Sequence, residues 1–264
     1  MMPPLHRRVA CLFALIPALL IPGHALAWAP EGHQIVAAIA ERELSPKARA
    51  AVSALLENPG IMVLDSSWAD EIRQQRPETT PWHYVNIEIG SGAYSAARDC
   101  GDGNCVVAQI GRDEKILSDP HASKDARAEA LRFLIHFVAD LHQPLHAADR
   151  NDQGGNDALF RWHGKRVSLH QIWDQDVVAA LGGDSMRAAA EIDRSLTPQQ
   201  KSQMGAGSVE DWTNESFHLA ESEIYALPPS RLPEDYATKE SAIARRQLAK
   251  AGIRLATILN RVFR

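Results

Sequence analysis

The chain is poor in cysteine. Its 264 residues include three, Cys11, Cys100 and Cys105, and no Cys-X2-Cys pair, which argues against a structural zinc site built on thiolates. Cys100 and Cys105 flank four turn-forming residues, Gly-Asp-Gly-Asn. In an exported protein this spacing predicts a disulfide that closes a short loop and contributes about 2 kcal/mol. A zinc-binding pair is the weaker alternative, because no histidine lies nearby in the sequence.

The chain has no long apolar run after residue 27. Before that point, residues 9–21 form an apolar stretch that follows two arginines and precedes an Ala-Leu-Ala triplet, the pattern of a secretory signal peptide and its cleavage site. The stretch is too short to favour a retained membrane span. We therefore predict that residues 1–27 are a signal peptide, cut before Trp28. The mature protein is expected to be exported, either periplasmic or secreted, without stable membrane association.

An excess of positive charge is also missing. The chain carries 28 basic and 33 acidic residues, a net charge of −5. Loss of Arg7 and Arg8 with the signal peptide would leave 26 basic residues against 33 acidic ones, a net charge of −7. A protein that grips nucleic-acid phosphates by surface charge alone would be basic. If this chain handles phosphates, bound metal ions must supply the positive field.

Linkers, repeats and low-complexity tracts are absent too, so residues 28–264 are expected to form one domain. Helical periodicity dominates this region, and Ser45 and Ser123 have the positions of helix N-caps. Strand signals are few. The predicted fold class is therefore all-α, a single mostly helical domain with a short hairpin or two. The predicted helices are residues 32–44, 45–57, 106–118, 124–143 and 208–225, one opening at 197–198, and 233–263; the predicted strand is 84–89, and the predicted hairpin is 158–167.

Residues 136–146, His-Phe-Val-Ala-Asp-Leu-His-Gln-Pro-Leu-His, are the most informative segment of the chain. His136 and Asp140 are four residues apart, so on an α-helix they lie on one face, about 40° from each other. Pro144 stops or kinks the helix and lets His146 turn back toward the same point. Imidazole combined with carboxylate, without thiolate, suits zinc in a working site.

Further candidate ligands are spread along the chain. His170 and Asp174 repeat the spacing of four residues. Three segments that begin with tryptophan supply His33, Asp70 and His83. Five histidines and three aspartates are more than one zinc ion can use. Several metal ions are therefore predicted.

In order and spacing, the segments from Trp28 to Asp174 resemble the secreted, single-strand-specific zinc nucleases, which share a fold with the zinc-dependent phospholipases C. The patterns HFxxDxxQPLH and LHxxWD carry the resemblance. It implies three zinc ions and a mature N-terminus at Trp28, whose amine and carbonyl would both bind metal. By resemblance, one zinc takes Asp70, His83 and His136; its neighbour takes Trp28 and His33, with Asp140 bridging the two; the third takes His146, His170 and Asp174.

Phosphodiester hydrolysis needs an activated water, neutralised phosphoryl oxygens and a stabilised leaving oxygen. Two zinc ions about 3.5–4 Å apart can lower the pKa of a bridging water toward about 7, and a third can meet the leaving 3′ oxygen. Attack opposite that oxygen would leave a 5′-phosphate on the product. The expected catalytic residues are Asp70 and Asp140, together with Arg73, which is one helical turn after Asp70 and would hold a phosphate oxygen.

The resemblance also implies residues that bind the substrate. Tyr84 would stack on a base, and Asn86 stands where the family has an aspartate that bonds the base edge. An amide offers both a donor and an acceptor, so base preference does not carry over. Asn156 follows two glycines, as in the family's loop beside the third zinc, and is expected to position phosphate or its neighbours. His142 lies about 120° from His136 and is expected on the surface or behind the ligands.

These expectations describe an exported endonuclease that contains three zinc ions. Its substrates would be single-stranded DNA and RNA, cut to 5′-phosphorylated products, with 3′-nucleotides as further substrates. No obligate protein partner is evident. One alternative is a zinc-dependent phospholipase C, whose third-zinc motif typically ends in glutamate, where this chain has Asp174. The other is a zinc-binding protein without catalytic activity, which the lack of a thiolate cage disfavours.

Overall fold

The computed structural model describes residues 28–57, 62–227 and 231–264. The predicted signal peptide lies outside the described residues. Within them the fold is mostly helical, which confirms the all-α prediction. Their buried apolar side chains form one continuous cluster. No helix among these residues is long and apolar enough to span a membrane.

The described residues form twelve α-helices and one antiparallel hairpin. The helices are α1 (Pro30–Glu43), α2 (Pro46–Leu56), α3 (Met62–Asp65), α4 (Trp68–Ile72), α5 (Ala96–Asp99), α6 (Val106–Ser118), α7 (Lys124–Leu141), α8 (Leu169–Gln171), α9 (Ser185–Arg194), α10 (Pro198–Met204), α11 (Val209–Leu219) and α12 (Tyr236–Val262). The hairpin consists of β1 (Leu159–Trp162) and β2 (Lys165–Ser168). Two 3₁₀ segments, Pro77–His83 and Pro144–His146, and two π-helical turns, Ile172–Val177 and Ala220–Ile224, complete the helical structure.

The predicted helix starts are confirmed by their caps. The hydroxyls of Ser45 and Ser123 accept bonds from backbone N–H groups three residues on, at the starts of α2 and α7. Thr197 and Gln200 form a reciprocal capping box at α10. Helix α9 was not predicted. Its buried face consists of Ala188, Ala189, Ile192 and Asp193.

Helix α7 lies at the centre of the fold. Every side chain from Phe133 to Leu141 is buried. Helix α6 packs most extensively against it, and α12, α2, α4, α1 and α11 add further contacts. A helix that is buried on all sides is held rigidly by its neighbours. His136 and Asp140, which lie on its last two turns, therefore have fixed positions.

The predicted hairpin is confirmed, but the predicted strand at residues 84–89 is wrong. This segment is extended, yet it makes only one isolated bridge, between Glu88 and Asp149. Its partner is the short stretch from His146 to Asp149, which shares three backbone hydrogen bonds with it and then turns away. A regular ladder cannot form because positive φ angles begin at Asn151, directly beyond this stretch.

The first and last helices cross in close contact. A Cβ atom on Gly252 of α12 would lie 2.6 Å from Cβ of Ile39 on α1, so only glycine allows this approach. Asn260 closes one end of the contact, accepting a bond from the backbone N–H of Ser45 and donating one to the carbonyl of Glu43. Since His33 lies on α1, this crossing determines where His33 sits relative to α7.

Candidate metal centre and cleft

The predicted ligands of the third metal meet behind the hairpin. Nε2 of His146 lies 3.2 Å from Nε2 of His170, and that atom lies 3.3 Å from Oδ2 of Asp174. Adjacent ligand atoms of a tetrahedral zinc ion are about 3.3 Å apart, from a zinc–nitrogen distance of about 2.0–2.1 Å. The three side chains are buried. They fit one face of a zinc coordination shell.

Hydrogen bonds fix the imidazole tautomers at this site. Nδ1 of His146 donates to the carbonyl of His83, and Nδ1 of His170 donates to the carbonyl of Gly154. Each ring therefore presents an Nε2 lone pair. Two lone pairs that face each other at 3.2 Å repel unless a cation lies between them. The backbone carbonyls thus prepare both histidines to bind a metal.

The carbonyl of Gly154 needs an unusual backbone. Gly154 has φ +62°, and a Cβ on it would lie 2.6 Å from the carbonyl oxygen of Leu145. Only glycine avoids both the strain and the clash. Asp149 holds the loop by accepting bonds at Oδ1 from the N–H groups of Asp152 and Gly154. The Gly-Gly pair singled out in the sequence therefore orients His170.

A second cluster surrounds Oδ2 of Asp140. That atom lies 2.9 Å from Nδ1 of His83 and 3.2 Å from Nε2 of His136, and the two nitrogens are 3.1 Å apart. Oδ1 of Asp70 lies 3.8 Å from the first nitrogen and 3.7 Å from the second. Four donor atoms thus enclose one point at distances suited to zinc. Nδ1 of His136 donates to the carbonyl of Ser66, which leaves Nε2 as its ligand atom.

The other oxygen of Asp140 points to a different histidine. Oδ1 lies 3.5 Å from Nε2 of His33, and it has no hydrogen-bond partner although it is buried. Both ring nitrogens of His33 are likewise buried without a partner. Unpaired buried polar atoms are costly, and a bound metal ion would satisfy them. The carboxylate of Asp140 therefore faces two possible metal positions, one through each oxygen.

Trp28 lies next to this second position. Its indole is fully buried and donates from Nε1 to the carbonyl of Ala139, the residue before Asp140. The next residue, Ala29, donates its N–H to the carbonyl of Asp174. The first described residue is thus anchored between two of the ligand-bearing segments.

The protonation states suit metal binding. Burial lowers the pKa of His146 to about 3 and that of His170 to about 4, against the attraction of Asp140, so both rings are neutral near pH 7. Burial and the neighbouring His136 hold the pKa of His33 well below its usual value. For His136, burial is outweighed by Asp140 and Asp70, which raise its pKa to about 9. These carboxylates stabilise a positive charge at that point.

Three groups of side chains can each hold a metal ion by distance alone. One is His146, His170 and Asp174, as the resemblance implies. Another is His83, His136 and Asp140, and the third joins His33 with Asp70 and His136. The last group crosses the predicted division between the paired zinc ions. His33 stacks on His136 with ring centroids 3.9 Å apart, so the two half-sites form one continuous cluster.

A cleft of about 630 Å³ opens onto these clusters. The predicted substrate residues Arg73, Tyr84, Asn86 and Asn156 all line it, together with His83, His146 and His170. Nη2 of Arg73 donates to Oδ1 of Asp70 at 2.7 Å, so its guanidinium lies at the edge of the metal cluster. The side chain of Asn156 donates to the carbonyl of Gln153 at 2.8 Å. A smaller cavity of about 380 Å³ elsewhere lies between α1 and α9 and contains none of these groups.

The disulfide between Cys100 and Cys105 is confirmed. Its loop supports one wall of the cleft. Nε1 of Trp82 donates to Oδ1 of Asn104 within the loop, and the N–H of Val106 donates to the carbonyl of Tyr84. The segment that carries His83 and Tyr84 is thus attached to the cross-linked loop.

Two polar residues directly after α7 make contacts that the sequence does not predict. His142 is fully buried, so a surface position is wrong. Its Nδ1 donates to the carbonyl of Val138, and its Nε2 accepts a bond from Arg254, which also pairs with Glu215. Gln143 belongs to the family motif, but the motif does not predict that its amide donates to Asp174. Both partners are too distant in sequence to be deduced from spacing.

Comparison with known proteins adds an independent result. A sequence model of the S1/P1 nuclease family matches residues 28–264. Endonuclease 4 of Arabidopsis thaliana is 32% identical over 94% of this chain and 93% of its own length. Nuclease P1 of Penicillium citrinum is 32% identical over 62% of this chain and 63% of its own. Nuclease S1 of Aspergillus oryzae is 26% identical over 88% of this chain and 91% of its own.

The family match covers all of the chain after residue 27. It includes both ligand-rich motifs and every predicted ligand, among which the histidine and aspartate side chains converge in the structure. The resemblance drawn from those motifs is confirmed. The chain belongs to the S1/P1 nuclease family.

Proposed function

We propose that this protein is an exported endonuclease that hydrolyses single-stranded DNA and RNA to 5′-phosphorylated products and also acts on 3′-nucleotides. It would hold three zinc ions. Family membership supports phosphodiester hydrolysis as the reaction class. The cleft is lined both by His83, His146 and His170 of the candidate ligand groups and by Arg73 and Tyr84, which supports this proposal.

The strongest support for this proposal is the arrangement of His146 and His170. Buried imidazole lone pairs face each other at 3.2 Å, and each ring is held in that tautomer by a backbone carbonyl. A protein without a metal would gain nothing from this arrangement, since unpaired buried acceptors destabilise the fold. Zinc at such sites supplies an activated water and neutralises charge on the reacting phosphate.

We assign the ligands as three sets. Asp70, His83 and His136 would hold the first zinc; Trp28 and His33 would hold the second; His146, His170 and Asp174 would hold the third. Asp140 would bridge the first two, because its oxygens face different histidines. A free amine at Trp28 could complete the second set through its nitrogen and carbonyl.

The remaining residues would bind and orient the substrate. Arg73 can exchange its bond with Asp70 for a bidentate contact to a phosphate oxygen, and its planar guanidinium suits that role. Tyr84 would stack on an unpaired base, which favours single strands because bases of a duplex are already stacked. Asn86 is exposed at the cleft wall and would bond a base edge, whereas Asn156 would position the phosphate beside the third zinc.

The phospholipase alternative is disfavoured. The sequence model that matches the chain is that of the nuclease family, and the third ligand set ends in Asp174 rather than glutamate. A purely zinc-storing role does not account for an open cleft lined by Arg73 and Tyr84.

The test is an assay of the mature protein, loaded with zinc, on single-stranded DNA, duplex DNA of the same sequence, RNA, a 3′-nucleotide and phosphatidylcholine vesicles. We expect hydrolysis of the single strands and of the 3′-nucleotide, loss of activity with chelator, and recovery with zinc. End-group analysis should find 5′-phosphates. Phospholipid hydrolysis, or no hydrolysis by fully loaded protein, would overturn the proposal.

A matched pair of variants separates the metal clusters from other histidines. His170→Ala should lose activity and zinc, because His170 is buried in the third ligand set. His121→Ala should change neither, because His121 is exposed on the loop before α7 and belongs to none of the three groups.

A further inference from the structure

The hairpin β1–β2 has a strongly basic outer face. Arg161 on β1 and Arg166 on β2 stand directly opposite each other. Both are exposed, whereas Phe160 and Trp162 of the same hairpin are buried against the core. Because side chains of a strand alternate between its faces, the two arginines share the side that points away from the core.

This arrangement has a cost within the fold. Like charges directly across an antiparallel pair repel each other. Among the described residues, neither arginine has a carboxylate within ion-pair distance, whereas ten of the other seventeen described arginines do. The chain as a whole is acidic. A bound anion would therefore relieve the repulsion between these two arginines.

The basic face leads into the cleft. Ser168 lies on the same face as Arg166, two residues further along β2, and it lines the cleft beside His170. Two residues of a strand span about 6.8 Å. Leu159 lies opposite Ser168 and keeps 46% of its surface exposed, which is unusual for leucine in this fold. A bound polymer that left the cleft over Ser168 would pass the apolar side chain of Leu159. It would then pass the guanidinium groups of Arg161 and Arg166.

We propose that this hairpin face binds the phosphates of a single-stranded polynucleotide next to the bond that is cut. The proposal rests on the proposed function and extends it, since it concerns nucleotides outside the metal clusters. Arg161 and Arg166 would each contact a flanking phosphate, and Leu159 would pack against a sugar or base. A dinucleotide joined by one phosphate, or a 3′-nucleotide, has no flanking phosphate and so would not engage the arginines.

The experiment compares a long single-stranded oligonucleotide with a dinucleotide. The variant Arg161→Gln/Arg166→Gln should lower kcat/KM about tenfold on the oligonucleotide, mainly through KM, and less than twofold on the dinucleotide. Each lost phosphate contact reduces the salt dependence of binding by about 0.7 in the log–log slope, so the variant's slope should be shallower by about 1.4. Equal losses on both substrates, or none, would overturn the proposal.

The control removes two exposed cations elsewhere, with Lys47→Gln on α2 and Arg194→Gln on α9. Neither residue lines the cleft, so both substrates should be cut at the normal rate. If the unaltered protein cuts neither substrate, the proposed function fails by itself. The hairpin is then judged by fluorescence anisotropy of the labelled oligonucleotide, whose affinity for the arginine variant should still fall about tenfold; unchanged affinity would reject it.

Discussion

Nε2 of Gln143 donates to Oδ1 of Asp174 at 2.8 Å, while Oε1 of the same amide accepts a hydrogen bond from the backbone N–H of Leu145. The amide thus connects a ligand carboxylate to the residue before His146. It leaves Oδ2 of Asp174 facing His170. Gln143 is fully buried and touches no expected position of the substrate. In the proposed third zinc site it would therefore be a positioning residue.

We predict that Gln143→Met weakens the third zinc site selectively. Loss of the amide frees Asp174 to rotate, and loss of such an orienting contact typically costs 10–100-fold in metal affinity. Chelator competition followed by metal analysis should release one zinc per chain at a lower chelator concentration than in the unaltered protein. Gln247→Met is the control, because Gln247 is an equally buried amide that bonds the carbonyl of His142 and the hydroxyl of Ser216 instead. Identical zinc retention in all three proteins would contradict the assignment.

We predict that Asp140→Asn abolishes hydrolysis more completely than Asp174→Asn. Asp140 faces two metal positions, and an amide bridges metals poorly, so one change should empty both. Asp174 belongs to one ligand group. Metal analysis should show about two zinc ions missing in the first variant and about one in the second. Three retained zinc ions in Asp140→Asn would rule out the bridging role.

We predict that one extra residue before Trp28 impairs the enzyme. Only a free amine can chelate zinc together with its own carbonyl, since a peptide nitrogen has no available lone pair. The extended protein should keep its helical content, bind about one zinc fewer and lose most of its activity. Mass spectrometry must establish that the extension is still present. Full activity of an extended protein would exclude Trp28 as a ligand.

We predict that Asp113→Asn stabilises the protein at alkaline pH. Burial raises the pKa of Asp113 to about 8, against the attraction of Arg112, and Oδ2 has no partner. Between the usual value near 4 and about pH 8, the folded protein therefore binds more protons than the unfolded chain, and stability falls as pH rises. The amide cannot ionise, so its gain should grow over this range to about 1–3 kcal/mol.

Urea unfolding at fixed free zinc, from pH 5 to pH 9, measures this difference, and zinc-linked effects common to both proteins cancel. Asp119→Asn serves as the control, because Asp119 is exposed and its amide can still accept the turn bond from His121. A difference that is independent of pH would show that Asp113 is already ionised in the folded protein.

The helices could be predicted where local chemistry decides them. Ser45, Ser123 and Thr197 cap their own helices, so the signal lies within a few residues. The ligand motif at residues 136–146 could be recognised for the same reason, because two residues four apart on a helix lie on the same face. The hairpin turn at His163 and Gly164 adopts positive φ at both positions, as a two-residue turn of type I′ requires.

What the sequence could not reveal depends on distant partners. Residues 84–89 have the composition of a strand, but a strand needs a partner of matching length, and Asp149 provides a single bridge. The helix spacing places His142 either on the surface or behind the ligands, and only the buried donor of Arg254, 112 residues away, decides between the two. Pairings of this kind are properties of the packed fold and leave no periodic trace.

The crossing of α1 and α12 constrains the order in which this protein can fold. Ser45 and Asn260 are 215 residues apart, and their bond belongs to the surface that holds α1 in place. His33 lies on α1, so the cluster around Asp140 stays incomplete until α12 has been synthesised and has packed against α1. Such long-range contacts slow folding. They also mean that the fold cannot be completed while the chain is still being synthesised. Zinc would then bind late in folding, when the hydrophobic core is already forming around the ligands.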